Sequence, residues 1–413
     1  MVYQPPTGAR DLLPLDVAQK RWIEDRLEQV FQGWGYHRII TSTLERMDAL
    51  MAGGAIEGST VIQLQNIQQE KLGLRPELTA SIARAAVTRM AGVNYPQRLY
   101  YNANVFGRSP ELKHNRQQEF YQAGVELLGG GGLVADAEVL LLVTACLQAL
   151  KLQNWHLIVG EAGITRSLLK AFPEDLLWQV RRAIANLDKV SIDTLPLSEE
   201  LRDRAKTMLD LRGKSADVLQ KISTLNLDSQ QLEAINNLKT LVELIESQRK
   251  CAVILDLSLI QTFDYYTGIV FEVVSDIDNQ ARVIGSGGRY DKLLGLYHPQ
   301  GKEIPGTGFA LFLEGLYHAL LNSGQLPQTI PASNWLVVPE NSSASPAAFA
   351  YAEKLRSSTH LVRVEMELST RDSQAIQEYA RDRGIAQIAW IKADGSKTIE
   401  SVNSQQSAVS SEQ

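Results

Sequence analysis

Only two cysteines occur in the 413 residues, Cys146 and Cys251, both in apolar surroundings and far apart in the chain. That usage predicts reduced core thiols and excludes a disulfide scaffold. No His/Cys cluster has metal-ligand spacing, so no metal is expected. A basic excess is also missing. The net charge is −6, against the positive footprint of a chain that lives on nucleic acid. No apolar run reaches bilayer length. The stretch 139–150 follows Asp136 and Glu138 and reads as a buried helix, so no membrane association is expected. The opening MVYQPPTGARDLLP lacks the basic-then-apolar build of a signal peptide, which makes the cytoplasm the expected compartment.

Phosphate-loop signatures are absent too. Gly213-Lys214-Ser215 ends like a P-loop, but Met208 stands where its first glycine belongs. Gly285-Ser286-Gly287-Gly288 fails as a dinucleotide fingerprint because Tyr290 occupies the third glycine position. The run Gly129–Gly132 reads as a turn.

What is present is an ordinary globular composition, 44% hydrophobic and 21% charged, in a chain too long for one compact core. Apolar periodicity predicts a helix over 15–31, with Ala18, Trp22, Ile23, Leu27 and Phe31 on one face. A strand is expected over 36–42, and a helix over 79–90 with Thr79 as N-cap. Strands at 99–105 and 119–128 flank the charged loop 108–118. A helix at 135–150 and a strand near 156–159 follow. Residues 163–249 read as a helical insertion without strands. Strands return at 252–257, 268–274 and 281–286, with 275–280 as a loop, and 306–321 forms a strand-to-helix unit.

Beyond a Pro-containing linker at 326–333, strands alternate with helices over 334–400, which predicts a small α/β domain with a parallel or mixed sheet. The Ser/Gln-rich stretch 401–413 is expected to be a disordered tail.

Polar residues gather at the ends of the β segments: Arg75, Glu77 and Thr79; Arg108 and Arg116; Gln122 and Glu126; Tyr265, Tyr266 and Tyr290. Gln122 and Glu126 share a strand face, since side chains repeat every two residues. Glu126 lies among apolar neighbours and needs donor partners if buried.

Four segments, taken in order, resemble the catalytic core of class II histidyl-tRNA synthetases over about residues 5–325. They are Leu74-Arg75-Pro76-Glu77-Leu78-Thr79, Arg116-Gln117-Gln118-Glu119-Phe120-Tyr121-Gln122 running on to Gly124-Val125-Glu126, Asp264-Tyr265-Tyr266-Thr267-Gly268, and Gly287-Gly288-Arg289-Tyr290-Asp291. The resemblance implies an α+β fold, an antiparallel sheet flanked by helices with a helical insertion and a C-terminal α/β domain. It also implies a dimer and a pocket for L-histidine. In that pocket Glu77, Gln122 and Thr79 would hold the α-amino group, Glu126 and Tyr290 the imidazole, and Tyr266 and Tyr265 the walls.

The departures fall on the nucleotide side. Gln261 and Gly315 stand where the synthetases carry arginines, Gln118 replaces a third, Pro110 an acid and Ser42 a proline. One preorganised donor is worth ~3–4 kcal/mol to a transition state, so adenylate formation is expected to be crippled. Arg108 and Arg116 remain as possible anion ligands. An inherited histidine pocket without catalysis resembles the regulatory subunits of ATP phosphoribosyltransferase. That likeness implies a homodimer within a hetero-oligomer, a short-form catalytic subunit as partner, feedback inhibition by histidine, and no cofactor. From Pro331 onward eight basic residues face ten acidic ones, net −2, which argues against tRNA binding. An active histidyl-tRNA synthetase and a stand-alone histidine sensor are the alternatives.

Overall fold

The computed structural model describes residues 5–6, 8–52, 56, 58–65, 70–107, 117–223, 227–249, 252–259, 265–369 and 371–402. Its contacts divide the chain between Pro327 and Gln328 into two compact units.

Among the described residues the first unit contributes twelve strands: β1 (His37–Arg38), β2 (Leu44–Arg46), β3 (Gln63–Gln65), β4 (Lys71–Leu74), β5 (Gln97–Phe106), β6 (Glu119–Leu128), β7 (Trp155–Glu161), β8 (Arg212–Lys214), β9 (Val253–Asp256), β10 (Ile269–Ile277), β11 (Gln280–Arg289) and β12 (Gly306–Phe312). Nine of them form one sheet in the order β1-β5-β6-β12-β11-β10-β7-β9-β8, and β2-β4-β3 form a second, small one. The large sheet is antiparallel from β5 through to β7. Parallel pairs join β1 to β5 and β7 to β9.

Alternation along the strands creates two cores. Tyr100, Ala123, Val125 and Leu127 face a helical layer that contains the helices Pro14–Gly33 and Gly132–Ala149. Leu99, Tyr101 and Leu128 face the opposite way, onto the helix Thr79–Thr88. The first helix buries Gln19, Ile23, Leu27 and Phe31 at four-residue spacing, the stripe expected of a helix with one face on a core. The helix Gly132–Ala149 is strongly apolar beyond Asp136 and Glu138. By length and composition it could cross a bilayer, yet it packs in the core against Pro14–Gly33 and Ser229–Arg249.

Several expectations are corrected. The strand expected at 36–42 shrinks to His37–Arg38, because the next segment turns away to feed β2. The insertion is not wholly helical. Between its helices Arg212–Lys214 pairs with β9 at the sheet edge, so Gly213-Lys214-Ser215 sits on a strand and the helix start behind it. The loop expected at 275–280 is a two-residue turn, since Asp278 and Asn279 adopt φ of 52° and 59° and let β10 and β11 pair as far as Ile277 and Gln280. Within that hairpin the register shifts by one at Val273/Val274, opposite Ile284.

The second unit holds β13 (Trp335–Pro339), β14 (Val364–Met366), β15 (Gln387–Ile391) and β16 (Lys397–Ser401), ordered β14-β13-β15-β16. The first three are parallel and β16 is antiparallel, giving a mixed sheet. The helices Ser345–Arg356 and Ser373–Asp382 cover opposite faces, one over Val337 and Ala389, the other over Leu336 and Ile388. The strand β16 was not expected, and it includes Ser401. Residues 403–413 of the expected tail lie outside the described residues.

Candidate functional site

The residues between β4 and the helix Thr79–Thr88 form the floor of the site. Arg75 is buried and gives its guanidinium to backbone oxygens of Asn104 (2.9 Å), Thr41 (2.9 Å) and Ser42 (3.3 Å), and to Asn104 Oδ1 (3.3 Å). Two residues on, the Glu77 carboxylate accepts from Thr79 N (2.6 Å) and Ala80 N (2.9 Å). Thr79 is therefore not the N-cap. Leu78 holds that backbone position, and Glu77 satisfies the orphan N–H groups where the helix dipole favours an anion. Relieved of capping, Thr79 Oγ1 donates to Glu126 Oε1 at 2.7 Å.

Glu126 sits on β6 between Leu99 of β5 and Gly308 of β12, with 1% of its surface exposed. Its other oxygen, Oε2, accepts from the Tyr290 hydroxyl. Glycine is required at 308, where a Cβ would lie 2.1 Å from Glu126 Oε2 and 2.3 Å from the Val125 carbonyl. Gly124 serves Tyr101 in the same way, a Cβ there falling 2.5 Å from the phenol oxygen. The rings of Tyr265 and Tyr266 lie 4.8 Å apart, and Tyr265 meets Tyr290 edge-on at 5.9 Å. Tyr265 also hydrogen-bonds to Thr79 and Tyr266, and Arg166 donates to the Tyr266 carbonyl at 2.8 Å.

The structure thus gathers Glu77, Thr79, Glu126, Tyr265, Tyr266 and Tyr290 on one face of the sheet. Gln122 lies half-buried on the same face of β6, opposite Ala103 and Phe312. Arg108, Arg116 and Gln261 fall outside the described residues. Tyr101 and Arg166 belong to the surroundings and escaped sequence reading, because a tyrosine on a strand and an arginine on a helix carry no spacing signal.

Burial pushes the Glu126 carboxyl up to about 8, with the Tyr290 and Thr79 hydroxyls opposing and Glu77 adding to the rise. Burial also raises Glu77, against the backbone donors at Ala80 and Thr79. Among the described residues, no lysine, arginine or histidine forms an ion pair with either carboxylate. Two buried acids walled by tyrosines suit a small cationic ligand with an aromatic ring, through ionic hydrogen bonds and ring contacts. A cavity of about 300 Å³ lies elsewhere, in the insertion between Lys189, Asp210, Arg212 and Lys221. The chemistry of the acid cluster, two buried acids among hydroxyls, makes it the candidate site.

On the nucleotide side, β12 ends at Phe312 opposite Gln122, and Glu314 takes over the next amide, Tyr121 N, at 3.2 Å. The following residue, Gly315, lies against Ile284, where even a Cβ would come within 3.0 Å of Cγ2. An arginine at 315 would have to displace that contact. Among the described residues no group of three or more His, Cys, Asp or Glu could hold a metal ion.

The family model described as histidyl-tRNA synthetase matches residues 8–316. A relative from Nostoc punctiforme named ATP phosphoribosyltransferase regulatory subunit is 72% identical, covering 97% of this chain and 100% of the relative. Its counterpart of the same name from a Cyanothece species is 57% identical, over 97% of this chain and 100% of its own length. The chain belongs to the ATP phosphoribosyltransferase regulatory subunits, a family built on the histidyl-tRNA synthetase plan. Its members are regulatory rather than catalytic, and a regulatory subunit has a catalytic partner. A solved Bacillus halodurans protein described as an ATP phosphoribosyltransferase regulatory subunit/histidyl-tRNA synthetase superposes with a TM-score of 0.78 at 27% identity, covering 95% of this chain and 99% of that one. A histidyl-tRNA synthetase from a Nostoc species shares the fold, with a TM-score of 0.75 at 20% identity and 97% coverage of each chain. The α+β class II synthetase-like fold expected from the sequence is the one observed.

Proposed function

We propose that this regulatory subunit binds L-histidine in the cluster of Glu77, Thr79, Gln122, Glu126, Tyr265, Tyr266 and Tyr290. In this reading it supports the activity of a short-form ATP phosphoribosyltransferase catalytic subunit and relays feedback inhibition by histidine. It would act as a homodimer within a hetero-oligomer, without cofactor or tRNA. The observation that carries the reading is Glu126, a nearly inaccessible carboxyl held by two hydroxyls with a second buried acid beside it. Burying such acids costs stability unless something binds them. Histidine brings an ammonium group and ring N–H donors that match. The substitutions at Gln261, Gly315 and Gln118 remove the cations a triphosphate needs, which separates this chain from a working synthetase.

Calorimetry on the purified chain should show histidine binding, while histidine-dependent pyrophosphate exchange with ATP should be absent. Appreciable exchange would favour the synthetase alternative. Mixing with a short-form catalytic subunit should give a complex whose activity rises and becomes histidine-sensitive; an unchanged activity sinks the partner assignment. Glu126→Gln should weaken histidine binding by more than ~1 kcal/mol, as expected for a hydrogen bond to a charged group.

A further inference from the structure

The cavity of about 300 Å³ in the insertion is lined by Lys189, Arg212, Lys221, Asp210, Leu187 and Leu209. We propose that it binds a phosphorylated small organic molecule, with the phosphate among the three cations and the organic part against the two leucines. The site is independent of the acid cluster. Arg212 lies on β8, six strands along the sheet from β6, which is roughly 29 Å at ~4.8 Å per strand.

The cations converge from three elements. Lys189 opens the helix Lys189–Thr194, Arg212 opens β8, and Lys221 stands near the end of the helix Ser215–Ser223. Lys189 meets the Asp210 carboxylate only at 3.5 Å, and Arg212 Nε meets Asp256 Oδ2 only at 3.8 Å. Neither distance is that of a closed hydrogen bond. Asp256 is also committed to Ser258, accepting from its N–H at 2.9 Å and from its hydroxyl. Set against Asp210 and Asp256, the three cations leave a surplus positive charge in a chain whose net charge is −6. A phosphomonoester carries about −1.5 to −2 charges near neutral pH, and its oxygens suit ammonium and guanidinium donors.

Capping of the helix Glu199–Asp210 accounts for Lys221, whose ammonium reaches the Asp210 carbonyl at 3.2 Å. It does not account for Leu187. That residue follows Asn186, the C-cap of the helix Glu174–Ala185, and has a φ of 54°. Its N–H returns to the Ile184 carbonyl at 3.0 Å, and that of Asp188 to Ala183 at 2.8 Å. Such a turn favours glycine or asparagine. Here it carries a leucine, 44% exposed, on the wall of the cavity. Apolar side chains facing a set of cations fit an organic phosphate better than a bare anion.

The test is calorimetry on the full chain with phenyl phosphate and with inorganic phosphate, at an ionic strength held constant with sodium chloride. Phenyl phosphate should bind saturably, once per chain, and more tightly than inorganic phosphate. Lys189→Gln combined with Arg212→Gln should weaken both by about tenfold or more, through loss of charge-assisted contacts at a partly exposed site. Leu187→Gly puts the residue the turn favours in place, so urea unfolding should show the fold retained. It should still weaken phenyl phosphate about threefold, through lost apolar contact, and spare inorganic phosphate. Absence of saturable binding, or binding that survives the double variant, overturns the proposal. Inorganic phosphate binding as tightly as phenyl phosphate overturns it too, as does a Leu187→Gly variant that binds phenyl phosphate unchanged.

Discussion

Arg289 and Tyr290 are neighbours at the end of β11, yet they serve two buried charge clusters of opposite design. Arg289 reaches Asp136 with Nε (2.9 Å) and Nη2 (2.6 Å), Asp291 with Nη1 (3.0 Å), and the carbonyls of Gly130 and Gly132. Every donor on that side has an acceptor, and the cation is matched by acids. Tyr290 points to Glu126, where, among the described residues, the acids have no ion-pair partner and the donors are hydroxyls. The first cluster is complete within the chain and clamps the start of the helix Gly132–Ala149 to the sheet. The second, among the described residues, holds two buried acids without an ion-pair partner, as the proposed histidine pocket would require. Burial alone does not separate structure from function; charge balance does.

The comparison is broken most severely at its closed half. Arg289→Ala should cost ~3–5 kcal/mol in urea unfolding, since it leaves Asp136 buried and unpaired. A loss no larger than that of a surface substitution would show that the clamp is not structural. The open half should respond to pH. Glu126 titrates at about 8 in the folded chain against an ordinary 4.5, so between those values the folded state keeps a proton that the unfolded state has lost. Its contribution to stability therefore falls as pH rises through this window and levels off above 8. From pH 6 to 8 the fall should be ~2 kcal/mol in unliganded protein, and Glu126→Gln should abolish it. An identical pH slope in wild type and variant would contradict the assignment. The smallest effect concerns one hydroxyl. Thr79→Val should weaken histidine binding about fivefold, the worth of one ordinary hydrogen bond, while the helix cap stays in place, because Glu77 rather than Thr79 supplies it.

Much of this was legible in the sequence, for physical reasons that also explain the gaps. Long periodic stretches such as Pro14–Gly33 and β6 announce themselves through side-chain repeats. The strand Arg212–Lys214 has no apolar alternation to read, as it earns its place only by lying beside β9. The cap was misassigned because Thr and Glu both satisfy helix starts, and only coordinates show which side chain reaches back. The residues of the proposed pocket were named through resemblance, but their closeness depends on Gly308 and Gly124, whose absent side chains leave no pattern until a neighbour occupies the space.

The one-residue shift opposite Ile284 has a last consequence. The tight turn at Asp278-Asn279 sets how β10 and β11 would be matched if nothing intervened, with Arg289 across from Gly268; the shift brings it across from Ile269 instead. A strand has only an odd and an even side, so a single extra residue works like a frameshift that swaps them. Upstream of Ile284 the hairpin obeys its turn; downstream it obeys the needs of the two clusters. Suppressing the shift with every residue kept would turn the arginine toward the acid cluster and the tyrosine toward Asp136. Acid cluster and clamp in this chain are kept apart by parity.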